Sequence, residues 1–299
     1  MHLFLLGKDY HLGDMLWLTA VLSAYRRQIR PAVLLVGCPD KPISRILEQS
    51  PPIDGLFYGE ARAIVADVRQ RHGRDLLVHD LRPLHMATTM LRDWRFRLPW
   101  HYYRDLWLEP RGQWLATFLH LGLLHANRPL LRLTDGDRAA ALALTRPYVA
   151  LAPHVGHRET PILHAAWVRL KGWEDGRWRA LAVGLRRAGY EPVTLAAAGE
   201  PPIPGTHPLV GLPVRQAAGV IERAEALITV ESGLWYAAAG LGTPLMIVPW
   251  WLPRSVDWVA PMGIPYRLVS RDQASVSYVL SQIDELIGLQ AGVPTRARA

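Results

Sequence analysis

Short apolar runs alternate along the chain with amphipathic segments of helical length. In the first half, strands are predicted at residues 3–6, 32–36, 55–58 and 76–79, and helices at 13–27, 43–49 and 61–72. In the second half, strands are predicted at residues 148–152, 192–196, 226–230 and 244–248, and helices at 178–188, 215–224, 234–240 and 276–286. Such alternation is typical of parallel strands joined by helical crossovers, so the pattern predicts an α/β fold.

The alternation stops and starts again near the middle of the chain. Asp135-Gly136-Asp137 opens a short alanine-rich segment, and a new apolar strand follows Pro147. We therefore predict two lobes, residues 1–140 and 141–290, followed by a flexible tail at 291–299. In residues 82–132, the apolar positions repeat clearly with neither the helical nor the strand period. A cleft between two α/β lobes is a natural ligand site, and the loops at the carboxyl ends of the strands are expected to carry the chemistry.

Composition narrows the class of protein. Half of the 299 residues are hydrophobic and one fifth are charged, which is typical of a folded globular chain. The formal net charge of +8 comes mainly from arginine and favours anionic partners such as phosphates, nucleotides or acidic membrane surfaces. Cys38 is the only cysteine, which excludes an intrachain disulfide and suits a reducing cytoplasm. The apolar run Leu3–Leu6 is too short for a signal peptide or a membrane span, so any membrane contact is expected to be peripheral.

The loop after the first predicted strand contains candidate chemistry. Lys8 lies within it, and Gly13 and Asp14 stand where the chain enters the first helix. The free N–H groups and partial positive charge of a helix N-terminus favour anions there. Asp14 has two interpretations that are compatible with each other. It is either a helix N-cap or a general base that takes a proton from an acceptor hydroxyl.

Two segments of the second half are candidate sites for an anion. Lys171, Trp173 and Trp178 form a K-x-W-x4-W pattern before a predicted helix. The lysine is either a charge available to an anionic ligand or a solvated residue between packed tryptophans. Residues 226–244 predict a strand, a tight Glu-Ser-Gly turn and a small-residue helix, whose N-terminal N–H groups favour a phosphate. The alternative is an ordinary strand-to-helix turn.

These motifs resemble those of the bacterial heptosyltransferases, glycosyltransferase family 9. Residues 13–20, Gly-Asp-Met-Leu-Trp-Leu-Thr-Ala, are similar to the family's opening motif, in which the aspartate is the proposed catalytic base. Ser232, Gly233 and Leu234 stand where the family's donor motif has Ser/Thr-Gly-Leu. Two residues depart from that motif, because Glu231 replaces an aspartate and Tyr236 replaces a histidine. A tyrosine can donate a hydrogen bond to a phosphate but cannot carry a positive charge.

Weaker similarities extend the match. Residues 148–154, ending at His154, are similar to the strand and loop that open the family's donor lobe, and residues 193–200 end at Glu200, where the family has a ribose-contacting acid. Residues 257–263 are similar to its Trp-x-x-Pro stretch.

The resemblance implies two Rossmann-like lobes of the GT-B type that face each other across a cleft. The N-terminal lobe would bind an anionic glycan or glycolipid acceptor on a loop containing Lys8 and Gly13, and Asp14 would be the base. The C-terminal lobe would bind a nucleotide-sugar, for which ADP-heptose is the first expectation. The residues implied in donor binding are His154, Lys171, Glu200, Glu231, Ser232, Gly233, Leu234 and Tyr236. Transfer would proceed with inversion, without a metal ion or cofactor, at the cytoplasmic side in lipopolysaccharide biosynthesis.

Two other functions stay open. One is a sugar-nucleotide epimerase of similar architecture, and the other is a non-catalytic module that binds an anionic polymer or membrane surface. Nucleic acid is a less favoured partner. Asp135-Gly136-Asp137 has the D-x-D form of metal-dependent glycosyltransferases, but a turn and helix cap explain it. His154, His157 and His164 lack the spacing of common zinc motifs, and no G-x-S-x-G, P-loop or G-x-G-x-x-G pattern occurs in the chain.

Overall fold

A computed structural model of the chain divides into two compact units, Met1–Arg132 and Leu133–Ala299. The structure describes residues 1–8, 10–73, 75–82, 128–155, 165, 168–250 and 258–291. The aromatic-rich stretch 94–107 and the side chains of His157, His164, Trp251 and Asp257 lie outside the described residues, as does most of the predicted tail.

The first unit contains a four-stranded parallel sheet. Its described elements are β1 (His2–Leu5), α1 (Leu12–Ile29), β2 (Leu34–Cys38), a 3-10 helix (Pro42–Leu47), β3 (Gly55–Tyr58), α2 (Ala61–His72) and β4 (Leu77–Asp80). The strand order is β3-β2-β1-β4 and every pair is parallel. One face of the sheet packs Leu3, Leu5 and Leu35 against Ile64 and Val68 of α2.

The second unit contains a six-stranded parallel sheet. Its described elements are α3 (Asp135–Leu142), β5 (Tyr148–Ala152), α4 (Asp175–Arg187), β6 (Glu191–Ala196), β7 (His207–Val210), α5 (Val214–Arg223), β8 (Ala226–Thr229), α6 (Leu234–Leu241), β9 (Leu245–Trp250), a 3-10 helix (Ala260–Met262), β10 (Tyr266–Ser270) and α7 (Val276–Ala291). The strand order is β10-β9-β8-β5-β6-β7. The predicted α/β class with parallel sheets is therefore confirmed.

Apolar strands buried on both faces form the centre of the second unit. β5, β8 and β9 are fully buried, as expected for parallel strands covered by helices on both sides. One large core cluster joins Leu151 and Ile228 of these strands to Trp178 of α4 and Val279 of α7. This core fixes the position of the loops that follow the strands.

Two strands were missed by the sequence pattern. β7 and β10 are the edge strands of the second sheet: β7 alternates between partly buried and exposed positions, and β10 is partly buried throughout except at the buried Val269. An edge strand buries less surface than a central one, so it needs no continuous apolar run. The alanine-rich helix α3 belongs to the second unit, whereas the predicted lobe boundary at residue 140 would divide it.

Each sheet has a point at which the strand order reverses. In the first unit the chain runs from β1 outward to β3 and returns to the other side of β1 as β4. In the second unit it runs from β5 outward to β7 and returns beside β5 as β8. In open α/β sheets, ligands bind outside the carboxyl ends of the strands at such reversals. The β1/β4 and β5/β8 edges are therefore the places where a site is expected.

Candidate functional site

The β1/β4 edge of the first unit holds the loop that leads from β1 into α1, the helix that contains Asp14. Tyr10 closes this loop, because its hydroxyl donates to the carbonyl of Leu81 just after β4, at 2.9 Å. Burial, together with the negative charges of Asp14 and Asp80, raises the pKa of Tyr10 well above its usual value. Tyr10 is therefore a neutral hydrogen-bond donor that ties the two strand ends together.

Asp14 is held in a fixed orientation at this edge. It occupies the third position of α1, where one carboxylate oxygen accepts from the backbone N–H of His11 at 2.9 Å and the other lies 3.4 Å from the Trp17 indole nitrogen. The N-cap of the helix is His11, so the interpretation of Asp14 as the N-cap was wrong. Asp14 instead closes the capping interaction from inside the first turn. Its side chain is nearly buried, with 6% exposed.

The two other residues expected on this side differ in exposure. Lys8 is exposed, and its carbonyl accepts from the ammonium of Lys41 at 2.5 Å. Gly13 is buried in the first turn of α1, one residue after the helix begins. Lys8 and Asp14 both follow β1 in the chain, and the exposed side chain of Lys8 places a solvated positive charge in that segment.

Thr229 connects the ends of β5 and β8 in the second unit. Its hydroxyl lies 3.0 Å from the carbonyl of Ala152 at the end of β5 and 3.1 Å from the hydroxyl of Ser232. Ser232, Gly233 and Leu234 are partly exposed and lead directly into α6, whose N-cap is Gly233. The predicted turn therefore places a serine hydroxyl and a helix N-terminus at the reversal point of the sheet. This is a suitable environment for an anion.

Lys171 and Glu231 form a buried ion pair at this edge. Their side chains are 7% and 6% exposed, and the ammonium contacts the carboxylate directly. The alternative of a solvated lysine was therefore wrong. Glu231, the residue that departs from the aspartate of the resembling motif, is therefore the countercharge of Lys171. A buried pair of this kind is costly to separate, because either partner alone would be an uncompensated charge.

Packing around Lys171 fixes its backbone. Residues 168–171 are helical, and Gly172 follows with its N–H donating to the carbonyl of Val168 at 2.8 Å. A Cβ at position 172 would lie 2.4 Å from that carbonyl oxygen, so only glycine fits. Trp173 then donates to the carbonyl of Ala274 at 3.1 Å and packs edge-to-face on Trp178. Both tryptophans are packed and anchor the segment, so only the packed tryptophans of the solvated-lysine alternative are found.

Tyr236 is buried beneath the turn. Its ring stacks on Trp235 with centroids 3.6 Å apart, and it is 3% exposed. Of the residues expected to contact a donor, Ser232, Gly233 and Leu234 are therefore accessible, whereas Tyr236 lies in the packed first turn of α6. The tyrosine that departs from the resembling motif is thus part of an aromatic packing contact.

His154 and Glu200 lie in the loops after β5 and β6. His154 Nε2 is 2.8 Å from the carbonyl of Pro201, and a carbonyl can only accept, so Nε2 carries a proton. One Glu200 carboxylate oxygen accepts from the N–H of Ala197 at 2.8 Å, within a tight turn. These two residues lie at the same sheet edge as Ser232, because all of these strands are parallel.

The D-x-D motif takes part in helix capping and in an ion pair of the second unit. Thr134 caps α3, and Asp137 accepts from the Thr134 backbone N–H and from Arg215 of α5, both at 2.7 Å. Burial alone would raise the pKa of Asp137, but the hydrogen bonds from Arg215 and Thr134 outweigh it and lower that pKa. Within the described ranges, no three His, Cys, Asp or Glu side chains are grouped as metal ligands.

Three contributors to the sites were missed from the sequence. Tyr10 and Thr229 join neighbouring strand ends, and Gly172 permits the close approach beside Lys171. Only Gly172 had a signal, as the middle residue of the Lys-Gly-Trp sequence. In the part of the chain that is described, no helix has the length and apolar character needed to cross a membrane.

The chain matches no protein-family model and no curated protein sequence. Its structure is similar to that of E. coli ADP-heptose LPS heptosyltransferase II, with a TM-score of 0.66 and 18% identity, over 97% of this chain and all of that one. A glycosyl transferase family 9 protein from Veillonella parvula gives a TM-score of 0.66 and 13% identity, over 97% of both chains. E. coli heptosyltransferase WaaC, solved with ADP, gives 0.58 and 14%, over 96% of this chain and all of that one. The predicted heptosyltransferase-like fold is therefore confirmed over nearly the whole chain.

Proposed function

We propose that this protein is a glycosyltransferase that moves a sugar from a nucleoside diphosphate donor to an acceptor hydroxyl. The observation that carries the proposal is the β5/β8 edge, where a buried lysine–glutamate pair stands beside the accessible Ser232–Gly233 turn and the N-terminus of α6. A cation and a helix N-terminus together suit a diphosphate. The fold similarity to heptosyltransferases supports the same assignment.

The donor is bound by the second unit in this proposal. Ser232 and the backbone N–H groups that begin α6 hold phosphate oxygens, and Lys171 stabilises the negative charge that develops as the diphosphate leaves. His154 and Glu200 border the same edge and contact the nucleoside. Because WaaC was solved with ADP and one heptosyltransferase is named for ADP-heptose, ADP-heptose is the first donor to test.

The acceptor is bound by the first unit. Asp14 takes the proton of the acceptor hydroxyl, the acceptor oxygen forms the new bond at the anomeric carbon, and the bond from that carbon to the diphosphate breaks with inversion. Most of the net positive charge of the chain belongs to residues 1–132, which suits an anionic glycan or glycolipid acceptor at a membrane surface. The transfer requires no divalent ion at the phosphates.

A thermal-shift panel tests the donor site. Wild-type protein is melted with ADP, UDP, GDP and ADP-heptose, alongside a Lys171→Gln/Glu231→Gln variant that removes both buried charges together. One diphosphate is expected to stabilise the wild type by about 2.7 kcal/mol at a concentration of 100 Kd, and to stabilise the variant much less. Equal stabilisation of both proteins, or no stabilisation by any member at millimolar concentration, would contradict the proposed donor site.

A further inference from the structure

We propose that Arg271 is a positioning residue for Lys171, the cation of the proposed donor site. Arg271 lies in the segment that connects β10 to α7, residues 271–274, which we call the β10–α7 turn. One of its terminal nitrogens donates to backbone carbonyls on both sides of Lys171. The inference rests on the proposed function, and it adds a residue of the second unit that no motif of the sequence indicates.

Three carbonyl oxygens converge on a single guanidinium nitrogen. Arg271 Nη2 lies 2.7 Å from the carbonyl oxygen of Leu170 and 3.2 Å from that of Arg169. The carbonyl oxygen of Gly172 lies 3.4 Å from the same nitrogen. Leu170 and Gly172 stand directly before and after Lys171 in the chain, so the guanidinium holds the backbone on both sides of the lysine.

The carbonyls of Arg169 and Leu170 belong to the end of a short helix. Residues 168–171 are helical, and the helix ends at Lys171. The carbonyl groups of a last helical turn have no partner within the helix, and a cation placed there is favoured by the helix dipole. Arg271 supplies both the missing donor and the positive charge. It therefore stabilises the helix end at the residue whose ammonium has to be placed.

The β10–α7 turn also accepts hydrogen bonds from the chain that follows Lys171. The carbonyl oxygen of Ala274 accepts from the indole N–H of Trp173 at 3.1 Å and from Arg177 Nη1 at 2.8 Å. Trp173 is buried and stands two residues after Lys171. The turn therefore holds this part of the chain through a donor at one end and an acceptor at the other.

Burial of the short helix does not account for its position. Val168 and Leu170 are 44% and 41% exposed, and of residues 168–171 only Lys171 is buried. A segment with few buried apolar contacts opens at low cost in free energy. The hydrogen bonds from Arg271 therefore decide how firmly the backbone of Lys171 is held.

The consequence for the proposed reaction is preorganisation of a charge. A cation stabilises a departing diphosphate best when it is already in place as the negative charge develops. Arg271 is exposed, and its Nη2 is engaged by backbone carbonyls. It therefore acts through the placement of Lys171 and not on the reacting atoms.

Hydrogen exchange of the ligand-free full chain tests the contact itself. Arg271→Gln is expected to accelerate exchange of the Gly172 amide, which donates to the Val168 carbonyl, about tenfold, because the helix end loses its donors. Arg267→Gln is the matched control, since Arg267 lies on β10 and pairs with Glu285, so it removes the same charge without touching residues 168–173. Unchanged exchange in Arg271→Gln, or equal acceleration in the control, would overturn the proposal.

Calorimetry in two backgrounds tests whether Arg271 acts through Lys171. The probes are ADP, UDP and GDP with their nucleosides, and the diphosphate that binds the wild type most tightly is carried through the comparison. Arg271→Gln should weaken its binding about tenfold, the scale of one lost hydrogen bond to a charged group, and leave the affinity for the nucleoside unchanged. In the Lys171→Gln/Glu231→Gln background, the same substitution should have no further effect.

The outcomes separate this inference from the proposed function. An unchanged diphosphate affinity in Arg271→Gln, or a further tenfold loss in the Lys171→Gln/Glu231→Gln background, would overturn the positioning role and leave the donor site in place. Binding of none of the three diphosphates by the wild type would contradict the proposed function and, with it, this role of Arg271.

Discussion

At the scale of single residues, the Lys171–Glu231 pair changes how the donor site must be tested. Each charge is nearly buried and compensates the other. Removal of either partner therefore affects the folded state as well as any bound phosphate. The accessible part of the turn, Ser232 to Leu234, does not have this complication.

Lys171→Gln alone is expected to destabilise the protein by about 3–5 kcal/mol, because it leaves the Glu231 carboxylate buried without a countercharge. Lys171→Gln/Glu231→Gln should recover most of that loss, since two amides can hydrogen-bond each other. Urea unfolding of both single variants and the double variant gives the coupling energy. Additive losses in the double variant would mean that the two side chains do not compensate each other.

Asp14→Asn is expected to separate catalysis from stability. An asparagine oxygen can still accept from the His11 N–H, and only the long 3.4 Å contact with the Trp17 indole nitrogen loses its acceptor, so the melting temperature should change little. Loss of the general base should lower the transfer rate about 10²–10⁴-fold while donor affinity stays within twofold. Release of nucleoside diphosphate in the presence of an acceptor measures the rate. A rate close to that of the wild type would remove Asp14 from the proposed mechanism.

At the scale of elements, α3 and α5 pack closely against each other at a glycine of the second unit. A Cβ at Gly219 of α5 would lie 2.1 Å from the carbonyl oxygen of Asp137 in α3. Arg215–Asp137 and Arg138–Glu222 ion pairs flank this contact. The helix that the D-x-D motif opens is therefore a packing element of the second unit.

Gly219→Ala is expected to cost about 1–3 kcal/mol of unfolding free energy, because backbone atoms must move to admit the methyl group. Gly176→Ala in α4 is the matched control, since no heavy atom lies within 4 Å of its Cβ position and alanine is the better helix former. Denaturant midpoints compare the two variants. An unchanged midpoint for Gly219→Ala would show that the two helices separate without cost.

At the scale of the whole molecule, the two units have separate sheets, each with its own reversal point. The proposed donor residues belong to the second unit and Asp14 to the first. A nucleoside diphosphate alone should therefore act on one unit.

Amide hydrogen exchange tests whether a nucleoside diphosphate acts on the second unit alone. The nucleotide identified by the thermal-shift panel is expected to slow exchange in residues 168–173 and 231–236, by up to about 100-fold at 100 Kd where opening requires dissociation. Residues 1–82 should exchange as in the free protein. Protection confined to the first unit would place the nucleotide at the Asp14 edge and reverse the proposed roles.

The sequence by itself determined the elements whose signals are local. Central strands such as β5 and β8 are continuous apolar runs, and the Ser232–Gly233 turn stands between such a run and a small-residue helix. These features depend on neighbours within a few positions, so pattern and motif predicted them. The edge strands β7 and β10 were not predicted, because partly exposed strands do not form a continuous apolar run.

Only the tertiary structure decided which distant residues meet. Lys171 with Glu231, Tyr236 under Trp235, and His2 with Tyr25 and His79 follow from the order and register of parallel strands, which no local spacing encodes. Parallel pairing brings together the ends of strands that are far apart in sequence, and a helix packed across them adds a third partner. The sequence therefore predicted the candidate loops, whereas the tertiary structure determined which of their charged side chains are paired, buried or accessible.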